Sequence, residues 1–224
     1  MNMSNKKIFI LQLVMSIIIF LATIAFFTKI VSNFKSLYYY DIVNLDIEKS
    51  SGIDVSTIKT NYNYLIDFLN QSNPSDFILP TLDSSVNGKT HFFEVHRIFS
   101  NLNYFLYFSI IFIIISVIIS IKNKIYLYLK VSGISLMVFP LILAPILMTG
   151  FTDYFDSFHK ILFRNDFWLF DPSADPVILI LPESFFMHCL ILIVFLSMLF
   201  GFILYVIYRF LHRKSKFKNT LKYI

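Results

Sequence analysis

The chain has 224 residues, 57% of them hydrophobic and only 15% charged, with a mean hydropathy of +0.70. Soluble domains sit nearer roughly 45–50% apolar and about 25% charged, so the composition excludes an ordinary soluble domain and indicates an integral membrane protein. The net charge of +5 does not read as nucleic-acid binding, because all 14 acidic residues fall between Asp41 and Glu94 or between Asp153 and Glu183.

Residues 8–27 form an uncharged apolar run, long enough as a helix to cross a bilayer core. Lys6 and Lys7 precede it, and its apolar core exceeds the roughly 7–15 residues of a signal-peptide core. It reads as an uncleaved first span with the N-terminus in the cytoplasm. Residues 32–102 form the first outer segment. In it Asp54 caps a helix carrying Ile58, Tyr62, Leu65 and Leu69 at helical spacing. Ser84 to Gly88 reads as a turn, with Asn87-Gly88 as its signal. His91, Glu94 and His96 then lie in a stretch that starts a helix leading into the membrane.

The second span covers residues 104–121 and ends at Lys122 and Lys124; the third returns over residues 125–147. Lys130 snorkels to the interface, and Pro140 and Pro145 are expected to kink the outer half. Gly150 opens the second outer segment, residues 150–186. There Phe151, Phe155, Phe158 and Leu162 give a short helix one apolar stripe for the bilayer surface or the spans, with His159 about 100° round towards its edge. Asp171-Pro172-Ser173-Ala174-Asp175-Pro176 forms a tight loop, and Pro182-Glu183 a first turn for the fourth span, residues 187–208. The tail is basic, with Arg209, Arg213, Lys214, Lys216, Lys218 and Lys222 suited to anionic headgroups. Basic residues alone at both ends and in the loop between the second and third spans place these on the cytoplasmic side. The expected fold is all-α: one polytopic membrane domain over residues 1–224, with four transmembrane helices, two helical extracytoplasmic segments and both termini inside.

No P-loop, GxGxxG, HExxH, GxSxG or CxxC motif is present, and the single cysteine, Cys189, lies in an apolar run. The remaining chemistry centres on His96 and His159, one in each outer segment beside carboxylates (Glu94; Asp156 and Asp166). Histidine moves protons near neutral pH without a cofactor. A zinc site from His91, His96, His159 and Glu94 is the metal alternative. His188 and His212 read as inert, His91 as intermediate. Asp171 and Asp175 read as loop-forming, Trp168 as part of an interfacial aromatic belt, and Arg97 and Arg164 as lipid-phosphate contacts.

The segment from Phe158 to Phe186 carries F-H-x-x-x-F-x-N-x-x-W-x-x-D-P-x-x-D followed by L-P-E-x-F-F, with His159, Asn165, Trp168, Asp171, Asp175 and Glu183 at its polar positions. It resembles the lipoprotein intramolecular transacylases, bacterial four-span membrane proteins, and the order of spans agrees over essentially the whole chain. Glu94 and His96 supply the family's Glu and His before the second span, although Phe99 stands where the family has an Asp. The resemblance implies a diacylated lipoprotein as substrate in the bacterial cytoplasmic membrane. Its sn-2 acyl chain moves to the free α-amine of its own N-terminal cysteine on the outer face, with no cofactor. It also implies catalysis by His159 as base and His96 as acid, with exchanged roles or an acyl-imidazole as variants. Trp168, Asn165 and Arg97 then serve as oxyanion donors, and Asp166, Asp171, Asp175 or Glu183 orients an imidazole. Beside this stand a non-catalytic membrane adaptor or lipid-binding subunit, and a metal-dependent membrane hydrolase.

Overall fold

The computed structural model describes the backbone of residues 5–220 and the side chains of residues 6–143 and 150–214. Pro145, Lys216 and Lys218 lie outside the described side chains, and Lys222 lies outside the described residues. The fold is all-helical, 80% helix, with no strand among the described residues. In chain order the helices are α1 (Asn5–Asn33), α2 (Lys35–Asn44), α3 (Ile47–Ser51), α4 (Val55–Leu69), α5 (Val86–Asn123), α6 (Leu127–Thr149), α7 (Phe151–Phe163), α8 (Val177–Ile180) and α9 (Glu183–Thr220). α1, α5 and α9 are long and apolar enough to cross a membrane; the described apolar stretch of α6, Leu127–Leu143, is shorter. The 38 residues of α5 extend roughly 57 Å. That far exceeds a hydrocarbon core of roughly 30 Å, so its polar N-terminal turns need not share the environment of its apolar part.

The chain divides into two compact units. The first comprises Met1–Thr28, Tyr104–Pro145 and Ile193–Ile224. Its core is Met15, Ile19, Tyr128, Leu129, Leu136 and Leu204. α6 and α9 meet backbone to backbone: a Cβ on Gly133 would stand 2.7 Å from the Gly201 carbonyl oxygen, and one on Gly201 2.7 Å from Leu136 Cβ. The first turn of α6 is tied to α1, where Gln12 Oε1 accepts from the Leu127 N–H at 2.7 Å.

The second unit comprises Lys29–Asn103 and Ile146–Leu192. α4 forms as its sequence dictates. Asp54 accepts from the Thr57 N–H at 3.0 Å, and Ile58, Tyr62, Leu65 and Leu69 are buried. Aromatic rings dominate this core. Tyr38 of α2 stacks on Tyr62 of α4 at 3.7 Å between centroids, and both meet Phe185 of α9. Phe77 packs between Phe68 of α4 and Phe92 of α5, and Phe92 stacks on Phe170. The turn expected at Asn87-Gly88 is instead the opening turn of α5. Ser85 Oγ accepts from the Gly88 N–H at 3.0 Å, a capping bond that starts the helix one residue before the Asn-Gly pair. Gly88 serves close approach: a Cβ there would collide with the Asp175 carboxylate. His188, read as inert, lies on α9 with Nδ1 2.9 Å from both oxygens of the fully buried Asp41 on α2.

Candidate active site

α7 is amphipathic, but its faces are not those expected. Phe151, Phe155, His159 and Phe163 form its less exposed side, whereas Tyr154, Phe158, Ile161 and Leu162 are exposed. The stripe read from the sequence mixes the two sides, because apolar residues occur on both. His159 is therefore on the inward face, not at its edge. Gly150, at φ 142°, permits the break between α6 and α7, a conformation L side chains rarely adopt.

The His159 ring is fixed on several sides. Its Nδ1 lies 2.7 Å from the carbonyl oxygen of Phe155, one turn back. A carbonyl only accepts, so Nδ1 carries the proton and Nε2 of the neutral ring holds the lone pair. Trp168 stacks on the ring at 4.9 Å and Phe155 packs at 4.2 Å. Burial lowers the His159 pKa, opposed by the Phe155 bond and by the carboxylates of Asp156 and Glu183. The ring is a neutral imidazole at pH 7 with a free nucleophilic nitrogen.

Facing it is His91 of α5, with ring centroids 6.1 Å apart. His91 also touches Phe163 at 4.6 Å and Phe170 at 5.4 Å, and its neighbour Phe92 is anchored by Phe77 and Phe170. Burial, reinforced by the nearby His159, pushes its pKa down to about 4. Two neutral imidazoles thus share an aromatic-lined space. One turn on, Glu94 Oε1 accepts from Asn165 Nδ2 at 2.9 Å, and the Asn165 carbonyl accepts from Trp168 Nε1 at 2.9 Å. The Glu94–Asn165–Trp168 chain ends on the face of His159.

A family model for "Lipoprotein intramolecular transacylase Lit" matches residues 13–186. The chain belongs to the lipoprotein intramolecular transacylase family. The solved structure of the membrane-integral transacylase from Bacillus cereus matches at 35% identity and TM-score 0.90, covering 96% of this chain and 100% of that one. Two further structures of that protein, each with a histidine replaced (by arginine in one, alanine in the other), match at 35% identity and TM-score 0.84. They cover 95% of this chain and 95% or 96% of theirs. No curated protein matches. The chain is thus a membrane-integral acyltransferase that acts on lipoproteins.

In this transacylase the histidine brought to His159 is His91, not His96. His96 is five residues on, about 140° round the helix. Its Nε2 lies 2.8 Å from the Gln71 carbonyl oxygen and its ring packs on Phe68 at 5.5 Å. His96, expected to share a site with His159, is thus held against Gln71 and Phe68 instead. Other expectations shift as well. Trp168 N–H donates to the Asn165 carbonyl and would have to break that bond to serve as an oxyanion donor; its ring stacks on His159. Arg97 and Asp166 are exposed. Asp171 is exposed too, accepting from the Ser173 N–H and Oγ, which hold its carboxyl below the usual range. Asp175 is buried but binds the Ser85 N–H and Oγ at 2.8 and 2.7 Å rather than an imidazole. Glu183 accepts from Thr152 Oγ1 at 2.7 Å. The group that orients His159 is a backbone carbonyl. Among the described residues no set of three or more His, Cys, Asp or Glu side chains is arranged to hold a metal ion.

Proposed function

We propose that the transacylase moves the sn-2 acyl chain of a diacylglyceryl-cysteine lipoprotein to that cysteine's α-amine, with His159 and His91 as its catalytic imidazoles. The amine nitrogen attacks the ester carbonyl carbon; a C–N bond forms and the C–O bond to glycerol breaks. His159 Nε2 takes the proton from the amine, whose pKa of about 8 is close enough for efficient transfer, and returns it to the departing glycerol oxygen. His91 offers one N–H and one lone pair to the reacting groups. Ester-to-amide conversion is downhill, and donor and acceptor share one molecule, so orientation supplies much of the rate. The observation that carries this reading is the meeting of two neutral imidazoles at 6.1 Å, one locked with its lone pair free.

In the same proposal α6 also crosses the membrane, as the third of four spans, both termini are cytoplasmic and the imidazoles work at the outer face. The segregation of basic residues supports that orientation. The exposed stripe Tyr154, Phe158, Ile161 and Leu162 of α7 then lies among outer-leaflet lipids, beside the substrate's acyl chains. Neither a nucleic acid nor a cofactor enters the scheme.

The test is expression in bacteria unable to N-acylate lipoproteins, with mass spectrometry of the N-terminal lipopeptides. N-acylated lyso-lipopeptides are expected. Unshifted diacyl peptides with a free amine, in cells holding folded transacylase, would contradict the reading.

A further inference from the structure

Among the described residues, four buried side-chain polar atoms have no hydrogen-bond partner: Ser84 Oγ, His91 Nδ1, Glu94 Oε2 and Ser109 Oγ. The hydroxyls of Ser84 and Ser109 both donate and accept, so neither selects one kind of ligand, and Ser109 lies on the apolar part of α5. His91 Nδ1 and Glu94 Oε2 differ in kind. They lie three residues apart on one helix, which sets their side chains on neighbouring positions of the same face. The His91 residue is 5% exposed.

Glu94 is clamped, not loose. Its other oxygen is held by Asn165 Nδ2, and Asn165 is fixed in turn by the Phe167 N–H on its side-chain oxygen and Trp168 Nε1 on its carbonyl. The free oxygen is thus presented by a braced side chain. Roughly nine in ten buried polar groups are paired, so two unpaired neighbours on one helix face, with His91 in ring contact with His159, point to a place for a ligand.

The chemistry of the pair selects that ligand. A carboxylate oxygen only accepts, and Nδ1 of a neutral His91 protonated at Nε2 accepts as well. The ester carbonyls and acyl chains of a diacylated lipoprotein have no proton to give. Its α-amine has two or three. We infer that Glu94 Oε2 and His91 Nδ1 form a subsite for the free primary amine of the substrate and exclude lipoproteins whose amine is already acylated. The inference rests on the acyl-transfer reading above and deepens it. An amide nitrogen offers one proton, and its carbonyl oxygen meets the Glu94 carboxylate with like partial charge. Transfer therefore destroys the group by which the substrate is held, and the product leaves. Glu94 and His91 in this way set direction as well as choice.

The experiment uses full-length transacylase in lipid nanodiscs and two probes. One is a diacylglyceryl-cysteine peptide with a free amine whose sn-2 ester is replaced by an ether; the other is its N-acetyl counterpart. Wild type is expected to bind the free-amine probe at least about tenfold more tightly, the effect of a charge-assisted hydrogen bond. Glu94→Gln keeps a carbonyl for Asn165 but turns a donor towards the amine. It is expected to bring the two probes within about threefold, and to raise KM for an ester-bearing peptide more than it lowers kcat. Wild type binding both probes within about twofold overturns the subsite and needs no folded variant. So does an undiminished preference in folded Glu94→Gln. Conversion of the ester-bearing free-amine peptide by wild type is scored separately by mass spectrometry. No N-acyl product there sinks the transfer reading, whatever the binding arms show.

Discussion

The two units satisfy their buried polar groups with different balances of local and long-range bonds. In the first, the short side-chain bonds run mostly back to their own helix: Ser16 to the Gln12 carbonyl, Thr23 to Ile19, Ser132 to Tyr128 and Ser197 to Ile193, each four residues earlier, with Gln12 to the Leu127 N–H as the strongest tie between helices. In the second, the bonds cross the sequence. Asn165 reaches Glu94 over 71 residues, Ser85 reaches Asp175 over 90, Tyr38 reaches the Ile180 carbonyl over 142 and His188 reaches Asp41 over 147. A locally satisfied helix makes few demands on its neighbours beyond shape, which suits packing among apolar surfaces. Long-range polar bonds fix a frame, and the two imidazoles lie inside that frame.

If the second unit alone carries the chemistry, the largest effects follow from its imidazoles. His159→Ala is expected to lower acyl transfer by at least about 100-fold, the ordinary scale of general acid–base catalysis, with the thermal midpoint little changed. A residual rate within tenfold of wild type would break the comparison at its strongest point.

The pH dependence comes next and has a definite sign. His91 titrates near its ordinary 6.5 when unfolded and at about 4 when folded, so the unfolded chain binds the extra proton first. Stability from the neutral buried ring is full above about pH 6.5 and is lost as pH falls towards about 4, by up to roughly 3 kcal/mol. Denaturation midpoints from pH 8 to pH 4 measure it, and His91→Gln should flatten the curve over that window. Activity should also fall as acid protonates His159, at a pH below its ordinary value because burial lowers its pKa.

The first unit offers the control. Gly133→Ala places a methyl group 2.7 Å from the Gly201 carbonyl oxygen, so α6 and α9 must separate. A loss of about 1–3 kcal/mol is expected, seen as a lowered thermal midpoint, with KM of the remaining folded transacylase unchanged. A changed KM at full stability would show that the units are not separable in this way. A similar or slightly smaller loss, about 1–3 kcal/mol, is expected of Asp175→Ala, which leaves the Ser85 N–H without its partner at the start of α5. Because α5 carries His91, Asp175→Ala should also lower kcat, which Gly133→Ala should not.

Much of this was readable in advance, and the exceptions have a common cause. Three long apolar runs specify α1, α5 and α9, and Asp54 with its periodic partners specifies α4. The dense pattern from Phe158 to Phe186 singled out His159, Asn165 and Trp168. Which histidine of α5 meets His159 was not readable. His91 and His96 have similar aromatic neighbours in sequence, and only the packing of one face on Phe68 and the other on Phe163 separates them. The Asn87-Gly88 signal misled because Ser85 caps the helix just before it and the distant Asp175 holds Ser85 in place. On α7 the lipid-suited face and the site face are both apolar, so periodicity alone could not tell Phe155 from Phe158. Asp41 and His188 gave no local signal; their pairing needs α2 and α9 side by side.

The central claim is that His91, not His96, works with His159. The direct test is a side-by-side measurement of N-acyl lipopeptide formation by His91→Gln and His96→Gln at matched levels of folded protein. His91→Gln should lose at least about 100-fold in rate, while His96→Gln, which can still donate to the Gln71 carbonyl, should stay within about threefold. The reverse ranking, with His91→Gln active and His96→Gln dead yet folded, would contradict the account.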